Sequence, residues 1–462
     1  MRPDPDDGTG NDMKSIRIGN GCGFWGDNVD APIRLAEAGK LDYLTLEYLA
    51  ELTMSILALL RQRDANAGYA HDLLDVLTRL VPQLQQQPGL KIITNAGGMN
   101  PHSCGLKAKE ILAANGLADR KVGVVAGDDL LPRLDELMAA GHPLNHLDNG
   151  EPLDAIRNRV VSANAYLGAE PIAKALGQGA SVVITGRVAD ASLTVGPCLY
   201  EFGWNMNEID RLAAATVAGH LIECGAQMTG GLWMNADNST NLANVGYPIA
   251  VINEDGSMTV TKPANSGGAV NTETVSEQLL YEVADPATYY TPDVVADFTS
   301  VTLKDLAKDM VSVTGSRGKP ATDSYKVSIA YRDGYTASGM LTFLGPDVAV
   351  KAHRSGRMIL EKLKQIGVSF EQSHMELLGA GSVVPGVIKP STSPVEIVMR
   401  LAVRDAKKAN LERFAKEFAP LVTSGYAGTT GYTTGRPQVR EVFAYWPALI
   451  AKTAVTPTVE II

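Results

Sequence analysis

Six short apolar runs, rich in β-branched residues, alternate with helix-like segments between residues 15 and 225. Runs this short do not form helices, and their apolar character is typical of strands buried on both faces. Strands that alternate with helices form a parallel sheet flanked by helices. The runs are residues 15–19, 41–46, 91–94, 121–126, 159–167 and 181–184. We therefore predict an α/β domain over residues 14–230.

The pattern of predicted strands and helices changes after residue 230. Strand–turn–strand patterns centre on Asp255-Gly256 and Asp333-Gly334, and helical stretches follow them. We therefore predict a smaller α+β domain over residues 231–462, with loops that cover the cleft of the first domain. Residues 1–13 are polar and rich in Asp, Gly and Pro, which predicts a disordered tail.

Composition excludes several classes of function. The net charge is −10 and charged residues make up 20% of the chain, which argues against nucleic acid as a partner. The longest apolar runs fall well short of the roughly 18 residues that cross a bilayer, so we expect no membrane association. The cysteines are far apart and form no CxxC pattern, which suits the reducing cytoplasm: Cys22, Cys104, Cys198 and Cys224.

The run 181–184 ends in Thr185-Gly186, and Arg187 and Asp190 follow directly. Ligands of open parallel sheets bind just beyond the carboxyl ends of the strands, where this turn is predicted. Arg187 and Asp190 share a face if a helix has begun, so the carboxylate can orient the guanidinium toward an anionic ligand. We therefore predict that Thr185, Gly186 and Arg187 bind an anionic small-molecule substrate. The alternative is a structural ion pair at a helix start.

A second candidate for anion binding follows the run 91–94. Asn95, Gly97, Gly98 and Asn100 would offer backbone N–H groups and side-chain amides at the end of a strand. Such groups can cradle a carboxylate or a phosphate. The alternative is a tight turn in which glycine supplies a positive φ angle.

Four residues are candidates for acid–base catalysis. His220 and Glu223 are three residues apart on a predicted helix and can share one face, as a catalytic pair requires. Asp27 and Asp190 each follow a predicted strand. The alternative for His220 is a helix-capping role. Paired carboxylates at Asp128-Asp129 lack neighbouring ligands in the sequence, so we expect no metal site.

Gly21, Gly23 and Gly26 match the dinucleotide-binding pattern GxGxxG, with Glu47 at the position of a ribose-binding acid. Phe24 and Trp25 are bulky where a pyrophosphate must approach closely. We therefore expect no nicotinamide or flavin cofactor, and we keep a nicotinamide-dependent oxidoreductase as an alternative function.

Several motifs occur in an order that resembles the acyclic terpene utilisation protein A family, from about residue 16 to the end of the chain. The motifs are Trp25-Gly-Asp27, Asp42-Tyr-Leu44, Leu49-Ala-Glu-Leu-Thr-Met54, Asn95-Ala-Gly-Gly-Met-Asn-Pro101, Thr185-Gly-Arg-Val-Ala-Asp190, Gly219-His-Leu-Ile-Glu-Cys224, Gln278-Leu-Leu-Tyr-Glu282, Pro292-Asp-Val294 and Gly431-Tyr-Thr-Thr-Gly-Arg-Pro437. The resemblance implies a place beside enzymes that degrade citronellol-type terpenoids, branched acids and acyl-CoA thioesters. Members of the family carry an extra C-terminal domain or have a small companion protein of about 100 residues, and this chain resembles the short form.

These observations favour a cytoplasmic enzyme of the lyase or hydratase type that breaks down branched carboxylates or acyl-CoA thioesters without a cofactor. The sequence contains no serine nucleophile elbow, no HExxH and no P-loop. The alternative from another class is a non-catalytic binding or scaffold subunit of a degradative complex. We expect self-association, because 45% apolar residues leave room for an interface, and a small companion protein is a further expected partner.

Overall fold

A computed structural model describes residues 13–387 and 394–462. The predicted disordered tail lies, apart from Met13, outside the described residues. The chain divides into two compact units. The first unit comprises the residues up to Ala330 together with Tyr445–Ile462, and the second comprises Tyr331–Ala444. The boundary expected at residue 230 falls inside the first unit, because the chain that follows it adds strands to the same sheet.

Two strands return to the first unit after residue 444, and its other strands and helices lie between the start of the described chain and residue 330. They are β1 (Ser15–Asn20), α1 (Ala31–Ala38), β2 (Tyr43–Leu46), α2 (Glu51–Arg63), α3 (Asp72–Gln86), β3 (Lys91–Thr94), α4 (Pro101–Ala114), β4 (Lys121–Ala126), α5 (Leu134–Ala139), β5 (Val160–Ala165), α6 (Glu170–Gly177), β6 (Ala180–Thr185), α7 (Ser192–Phe202), α8 (Ile209–Glu223), β7 (Ile249–Asn253), β8 (Met258–Thr261), α9 (Thr272–Leu280), β9 (Tyr289–Tyr290), β10 (Val295–Asp297), β11 (Thr302–Ala307), β12 (Met310–Thr314), β13 (Arg317–Lys319) and the start of β14 (Ser324–Leu344).

The second unit contains the rest of β14 and the elements that follow it. They are α10 (Val348–Gln365), β15 (Gln372–Leu378), β16 (Glu396–Asp405), α11 (Lys408–Lys416), α12 (Leu421–Ser424), β17 (Thr429–Tyr432) and the start of β18 (Val439–Ala451). After β18 the chain completes the first unit with β19 (Thr458–Ile461).

A ten-stranded sheet forms the centre of the first unit, in the order β11-β12-β8-β7-β1-β2-β3-β6-β4-β19. The five strands β1, β2, β3, β6 and β4 are parallel, whereas β7 pairs antiparallel with β1 and β19 pairs antiparallel with β4. The carboxyl ends of the five parallel strands therefore lie along one edge of the sheet. This confirms the predicted parallel sheet and the common position of its turns.

Helices cover both faces of this sheet. Val122 and Val124 of β4 contact α4, while Gly123 between them lies against Ala175 of α6. Alternate residues of a strand point to opposite faces, so α4 and α6 lie on opposite faces of the sheet. Helices α1, α3 and α4 pack in one layer, and α6, α7 and α8 pack in sequence in the other. The predicted α/β class is confirmed, with the strands buried on both faces as their apolar runs indicated.

The fifth predicted run forms β5, which lies outside the ten-stranded sheet. The Ala165 N–H donates to the Asp128 carbonyl at 2.8 Å, and the Leu130 N–H donates to the Ala163 carbonyl at 2.8 Å. Strand β5 therefore runs along the loop that follows β4. This position brings the end of β5 to the same edge of the sheet as the carboxyl ends of the parallel strands.

The second unit is built on antiparallel pairing. Strand β16 lies between β15 and β14, and the pairing of β14 with β16 extends from Tyr335 opposite Asp405 to Leu344 opposite Glu396. Helices α10 and α11 pack on this sheet around a core that includes Phe414. No helix among the described residues combines the length and the apolarity needed to cross a bilayer.

Candidate active site

The turn after β6 fixes the backbone of Arg187 deep inside the first unit. The carboxylate of Asp128, at the end of β4, accepts the Arg187 N–H at 2.9 Å and the Asn164 Nδ2 at 2.8 Å. A Cβ atom at position 186 would overlap this carboxylate, so the approach requires Gly186. Burial raises the pKa of Asp128 to about 6, although both hydrogen bonds favour its ionised form.

The side chain of Arg187 is 3% exposed and lies among polar groups. Its Nη1 donates to Asp190 Oδ1 at 2.8 Å and to the Leu49 carbonyl at 3.3 Å, and its guanidinium stacks 4.1 Å from the ring centre of Tyr166. Burial alone would lower the pKa of Arg187, but Asp190, Tyr166 and Glu47 together outweigh it and raise the pKa well above its ordinary value. The Nε of Arg187 is buried and has no hydrogen-bond partner within the described chain.

Glu47 follows β2 and is buried beside Arg187. Its Oε1 accepts the Leu49 N–H at 3.0 Å and a hydrogen bond from Asn95 Nδ2, whereas its Oε2 has no partner among residues 13–387 and 394–462. Burial raises the pKa of Glu47 well above its ordinary value, and the charge of Asp190 adds to this effect against that of Arg187. A carboxyl group in this position holds a proton more readily than a solvent-exposed one.

Tyr166 connects Arg187 to the start of α2. Its hydroxyl donates to Glu51 Oε1 at 2.5 Å, and the Lys326 ammonium lies 3.2 Å from the same oxygen and 4.6 Å from the Tyr166 ring centre. Burial opposes the ionisation of Glu51, but the Tyr166 hydroxyl, Lys326 and Arg187 outweigh it and lower the pKa of Glu51 to about 2. Glu51 is therefore ionised and holds Tyr166 against the guanidinium.

His220 and Glu223 form a pair at the carboxyl end of α8. His220 Nδ1 lies 3.1 Å from Glu223 Oε1, and the imidazole packs 5.3 Å from the Tyr289 ring and 5.1 Å from the Phe298 ring. The side chains are 1% and 11% exposed. His220 Nε2 and Glu223 Oε2 both lack a hydrogen-bond partner in the described part of the chain. The pair can share a proton between Nδ1 and Oε1, and Nε2 and Oε2 are then without a partner among the described residues.

Opposing effects set the pKa values of this pair. Burial lowers the pKa of His220, but the hydrogen bond and charge of Glu223, together with the backbone of Gln278 and Leu279, outweigh it, so the pKa is raised. Burial raises the pKa of Glu223; the bond and charge of His220 oppose this rise, whereas the charges of Asp190 and Glu282 add to it. Asp190 thus acts electrostatically on both Glu47 and Glu223. Its side chain is 34% exposed, so it lies where this buried group of residues reaches solvent.

In the turn after β3, which the sequence predicts as an anion cradle, the side chains of Asn95 and Asn100 are hydrogen-bonded within the protein. Asn95 donates to Glu47 and accepts the Tyr48 N–H at 2.8 Å. Asn100 caps α4 by accepting the Ser103 N–H at 3.3 Å, and its amide hydrogens donate to the carbonyls of Ala65 and Ala67, both at 2.9 Å. These donors are therefore not free to bind an anion.

The two glycines of this turn serve its geometry. A Cβ at Gly97 would lie 2.5 Å from the Thr185 carbonyl oxygen, so glycine permits the close approach of the turns after β3 and β6. Gly98 has a φ angle of +48°. The alternative interpretation, a tight turn that requires glycine, describes this segment better than an anion-binding site.

Thr185 and Gly186 also use their polar groups within the protein. The Thr185 hydroxyl donates to the Gly186 carbonyl at 2.8 Å, and the Gly186 N–H donates to the Val125 carbonyl at 3.0 Å. Of the residues predicted at this turn, only Arg187 keeps a buried donor without a partner in the described chain. The other two position it.

Asp27 stabilises the loop after β1 instead of joining the acid–base pair. Its carboxylate accepts the Gly23 N–H at 2.8 Å, the Asn28 N–H at 2.6 Å and the Tyr247 hydroxyl at 2.6 Å. These three donors occupy both carboxylate oxygens. The structure therefore places Asp27 in a hydrogen-bonded loop, apart from the His220–Glu223 pair, and its catalytic role stays a prediction.

Gly21 and Gly23, two of the three GxGxxG glycines, pack against the protein itself. A Cβ at Gly21 would meet the Pro32 backbone at 2.8 Å, and one at Gly23 would meet the Cys224 backbone at 2.8 Å. Helix α1 begins at Ala31, five residues past Gly26, so its N-terminus does not follow the glycines directly as in a dinucleotide-binding turn. The backbone of the protein therefore occupies the space beside Gly21 and Gly23.

Tyr166 and Lys326 were not predicted as site residues, and Glu47 was considered only as a ribose-binding acid. The one sequence signal for Tyr166 is its position at the end of the apolar run 159–167. The other candidates at strand ends have the same signal. Lys326 carries no such signal, because β5 and β14 meet only through the fold: the Tyr166 N–H donates to the Lys326 carbonyl at 2.9 Å. Among the described residues, no group of three or more His, Cys, Asp or Glu side chains is arranged to hold a metal ion.

The fold and this arrangement define a three-layer α/β protein with its candidate site at the carboxyl edge of the parallel strands, where ligands of such sheets bind. Within this class, the family model of the acyclic terpene utilisation family protein AtuA matches residues 16–461, so the chain belongs to that family. The family membership expected from the motifs is confirmed. Comparison with curated proteins gave no match, and comparison with solved structures gave none.

Proposed function

We propose that this protein is an enzyme that acts by acid–base chemistry on a small anionic molecule, as a lyase or hydratase of branched carboxylates or acyl-CoA thioesters. The observation that carries the proposal is the His220–Glu223 pair, whose outer atoms Nε2 and Oε2 make no hydrogen bond to any residue that the structure describes. Membership of the acyclic terpene utilisation family supports a branched substrate. Burial supports catalysis, because polar groups shielded from water interact more strongly with a bound ligand.

Each residue has a role in the proposed reaction. Arg187 binds the substrate's carboxylate or carbonyl oxygen through its unpartnered Nε and stabilises the negative charge that develops there. The His220–Glu223 pair takes the proton from the carbon next to the carbonyl. Glu47, with its raised pKa, donates a proton to the hydroxyl that leaves from the neighbouring carbon as water. The product is an unsaturated acid or thioester, and hydration is the reverse of these steps.

Asp190 and Tyr166 position Arg187 in this mechanism. Asp190 holds Nη1, and the Tyr166 ring fixes the guanidinium plane. The protein needs no further group for these proton transfers. We place it in the cytoplasm and propose that it associates with itself and with a small companion protein. Light scattering of the purified protein, alone and with a candidate companion, measures both associations.

The test combines ligand binding with turnover in the full-length protein. Thermal unfolding is measured with branched dicarboxylates, branched acyl-CoA thioesters and NADH, and turnover is followed by the absorbance of the unsaturated product. We expect the acids or thioesters, and not NADH, to raise the melting temperature. Glu223→Gln should lower turnover by roughly 10²- to 10⁴-fold, because a positioned acid–base group contributes about this much, while the ligand still stabilises the variant.

Glu110→Gln is the matched control, because Glu110 is an exposed carboxylate on α4 that pairs with Lys107 on the same helix. It should keep full turnover. Full turnover of Glu223→Gln would contradict the proposal. Binding without turnover of any acid or thioester would favour a binding or scaffold subunit, and stabilisation by NADH would favour a nicotinamide-dependent oxidoreductase.

A further inference from the structure

A cavity of about 580 Å³ lies within the second unit, apart from the residues discussed so far. One wall is a face of α11, which contributes Lys408, Glu412 and Lys416 at four-residue spacing. The opposite wall is Tyr432, at the end of β17, and the segment 436–439. The motif at residues 431–437, which the proposed reaction does not use, therefore lines this cavity.

The cavity carries an excess of positive charge. The lining contains three cations and one carboxylate, so its net charge is +2: Lys408, Lys416, Arg436 and Glu412. Glu412 lies 3.8 Å from Lys408, so it offsets one of the three cations. Within the described part of the chain, Lys416 and Arg436 have no carboxylate within ion-pair distance. On the same helix, by contrast, Arg413 pairs with Glu417 at 2.6 Å.

Tyr432 adds a polar atom that lacks a partner. Its hydroxyl is shielded from solvent and makes no hydrogen bond to any residue that the structure describes. Buried hydroxyl groups in proteins are nearly always hydrogen-bonded, and leaving one without a partner is unfavourable. The hydroxyl is not exposed to the cavity in this structure, because the Tyr432 ring packs against the apolar core of the second unit, so the charged lining carries the argument for a binding site.

We propose that this cavity binds an organic phosphate of about the size of a mononucleotide. A phosphate monoester carries a charge of about −1.5 to −2 at neutral pH, which matches the net charge of the lining better than a single carboxylate does. The guanidinium of Arg436 can donate two parallel hydrogen bonds to phosphate oxygens, and the ammonium of Lys416 adds a point charge. A volume of about 580 Å³ exceeds what a bare phosphate fills and lies in the range of small-molecule sites.

Calorimetric titration of the full-length protein tests this proposal with AMP, coenzyme A and inorganic phosphate. We expect saturable binding of at least one organic phosphate. Lys416→Gln/Arg436→Gln should weaken it at least tenfold, and Arg436→Lys should weaken it severalfold because the charge stays and the paired donors are lost. Equal affinities for AMP and coenzyme A would identify a nucleotide phosphate as the shared feature, whereas binding of coenzyme A alone would identify the larger carrier.

The matched control is Arg354→Gln/Lys364→Gln, which removes the same charge from α10, outside the cavity lining. It should bind as the unchanged protein does, and circular dichroism should show that all variants are folded. The proposal is overturned if no organic phosphate binds saturably, if inorganic phosphate binds as tightly as both organic ligands, or if the control weakens binding as much as the cavity variant.

Discussion

Two neighbouring turns at one edge of the sheet have the same position and opposite character. Strands β3 and β6 pair in parallel, with Thr94 opposite Ile184, so the turns that follow them lie side by side. In the turn after β3, the amide groups of Asn95 and Asn100 are bonded within the protein. In the turn after β6, Arg187 keeps a buried donor without a described partner.

The two turns show that a position at the ligand-binding edge of the sheet does not by itself leave a turn with polar groups free for a ligand. The parallel sheet brings both turns to the edge where ligands bind, and glycines give both of them close backbone packing. Only the turn after β6 carries a charge into the interior, and its neighbours Glu47 and Asp128 have raised pKa values because of their burial. We infer that the buried charge of Arg187 and the carboxyl groups around it, and not strand ends as such, mark the candidate site.

The largest expected effect comes from removing the charge of the turn after β6. Arg187→Met leaves Glu47 and Asp190 without their counter-charge, and breaking a buried ion pair in this way is worth on the order of 3 kcal/mol in the free energy of unfolding. Urea denaturation at pH 7 measures the change. Arg133→Met, at an exposed arginine paired with Glu136, should leave the denaturation midpoint nearly unchanged. Similar midpoints for the two variants would show that Arg187 does not balance buried carboxylates.

A smaller effect is expected from the pH dependence of Asp128. Its pKa is raised from 3.8 to about 6, so the folded protein binds this proton more tightly than the unfolded chain does. Ionised Asp128 therefore destabilises the fold above about pH 6, and this effect disappears as the pH falls toward 4. The difference between the two pKa values corresponds to roughly 3 kcal/mol as an upper limit.

Denaturation of the wild type and Asp128→Asn between pH 4 and pH 7 measures this effect. The stability of the wild type relative to the variant should decrease as the pH rises. A difference that does not change with pH would show that burial does not perturb Asp128, and the electrostatic contrast between the two turns would be lost.

The smallest effect is expected in the turn after β3. Asn100→Ala removes the N-cap of α4, which lowers the free energy of unfolding by about 1 kcal/mol. Because the amide hydrogens of Asn100 donate to backbone carbonyls, the variant should bind the substrate as the wild type does. Thermal unfolding with and without ligand separates the two quantities. A large loss of ligand binding without a loss of stability would restore this turn as an anion site.

The sequence predicted what depends on local spacing. The parallel sheet, its common edge and the pair His220–Glu223 follow from apolar runs and from side chains three residues apart on a helix. The pair Arg187–Asp190 forms as well, but in the turn before α7, which begins only at Ser192, so the helix expected there starts later than predicted. The structure brings each of these pairs within hydrogen-bond distance.

The rest depends on contacts between distant segments. The amide hydrogens of Asn100 donate to the carbonyls of Ala65 and Ala67. These carbonyls lie in another loop, so the local sequence around Asn100 did not show that its donors are used. The hydrogen bond between Asp27 and Tyr247 was not predicted for the same reason, since Tyr247 comes from a loop before β7. Tyr166 and Lys326 meet only once β5 and β14 have paired.

The path of the chain between the two units has a consequence for biosynthesis. The second unit interrupts the first, whose sheet gains its edge strand β19 beside β4 only from residues 458–461. A ribosome that has translated the whole parallel sheet has therefore still to produce 114 residues of the second unit, Tyr331–Ala444, before that edge can be covered. During this interval β4 presents unpaired backbone groups that can pair with another nascent chain. We therefore expect the yield of folded protein to depend on how well chaperones shield this edge during synthesis.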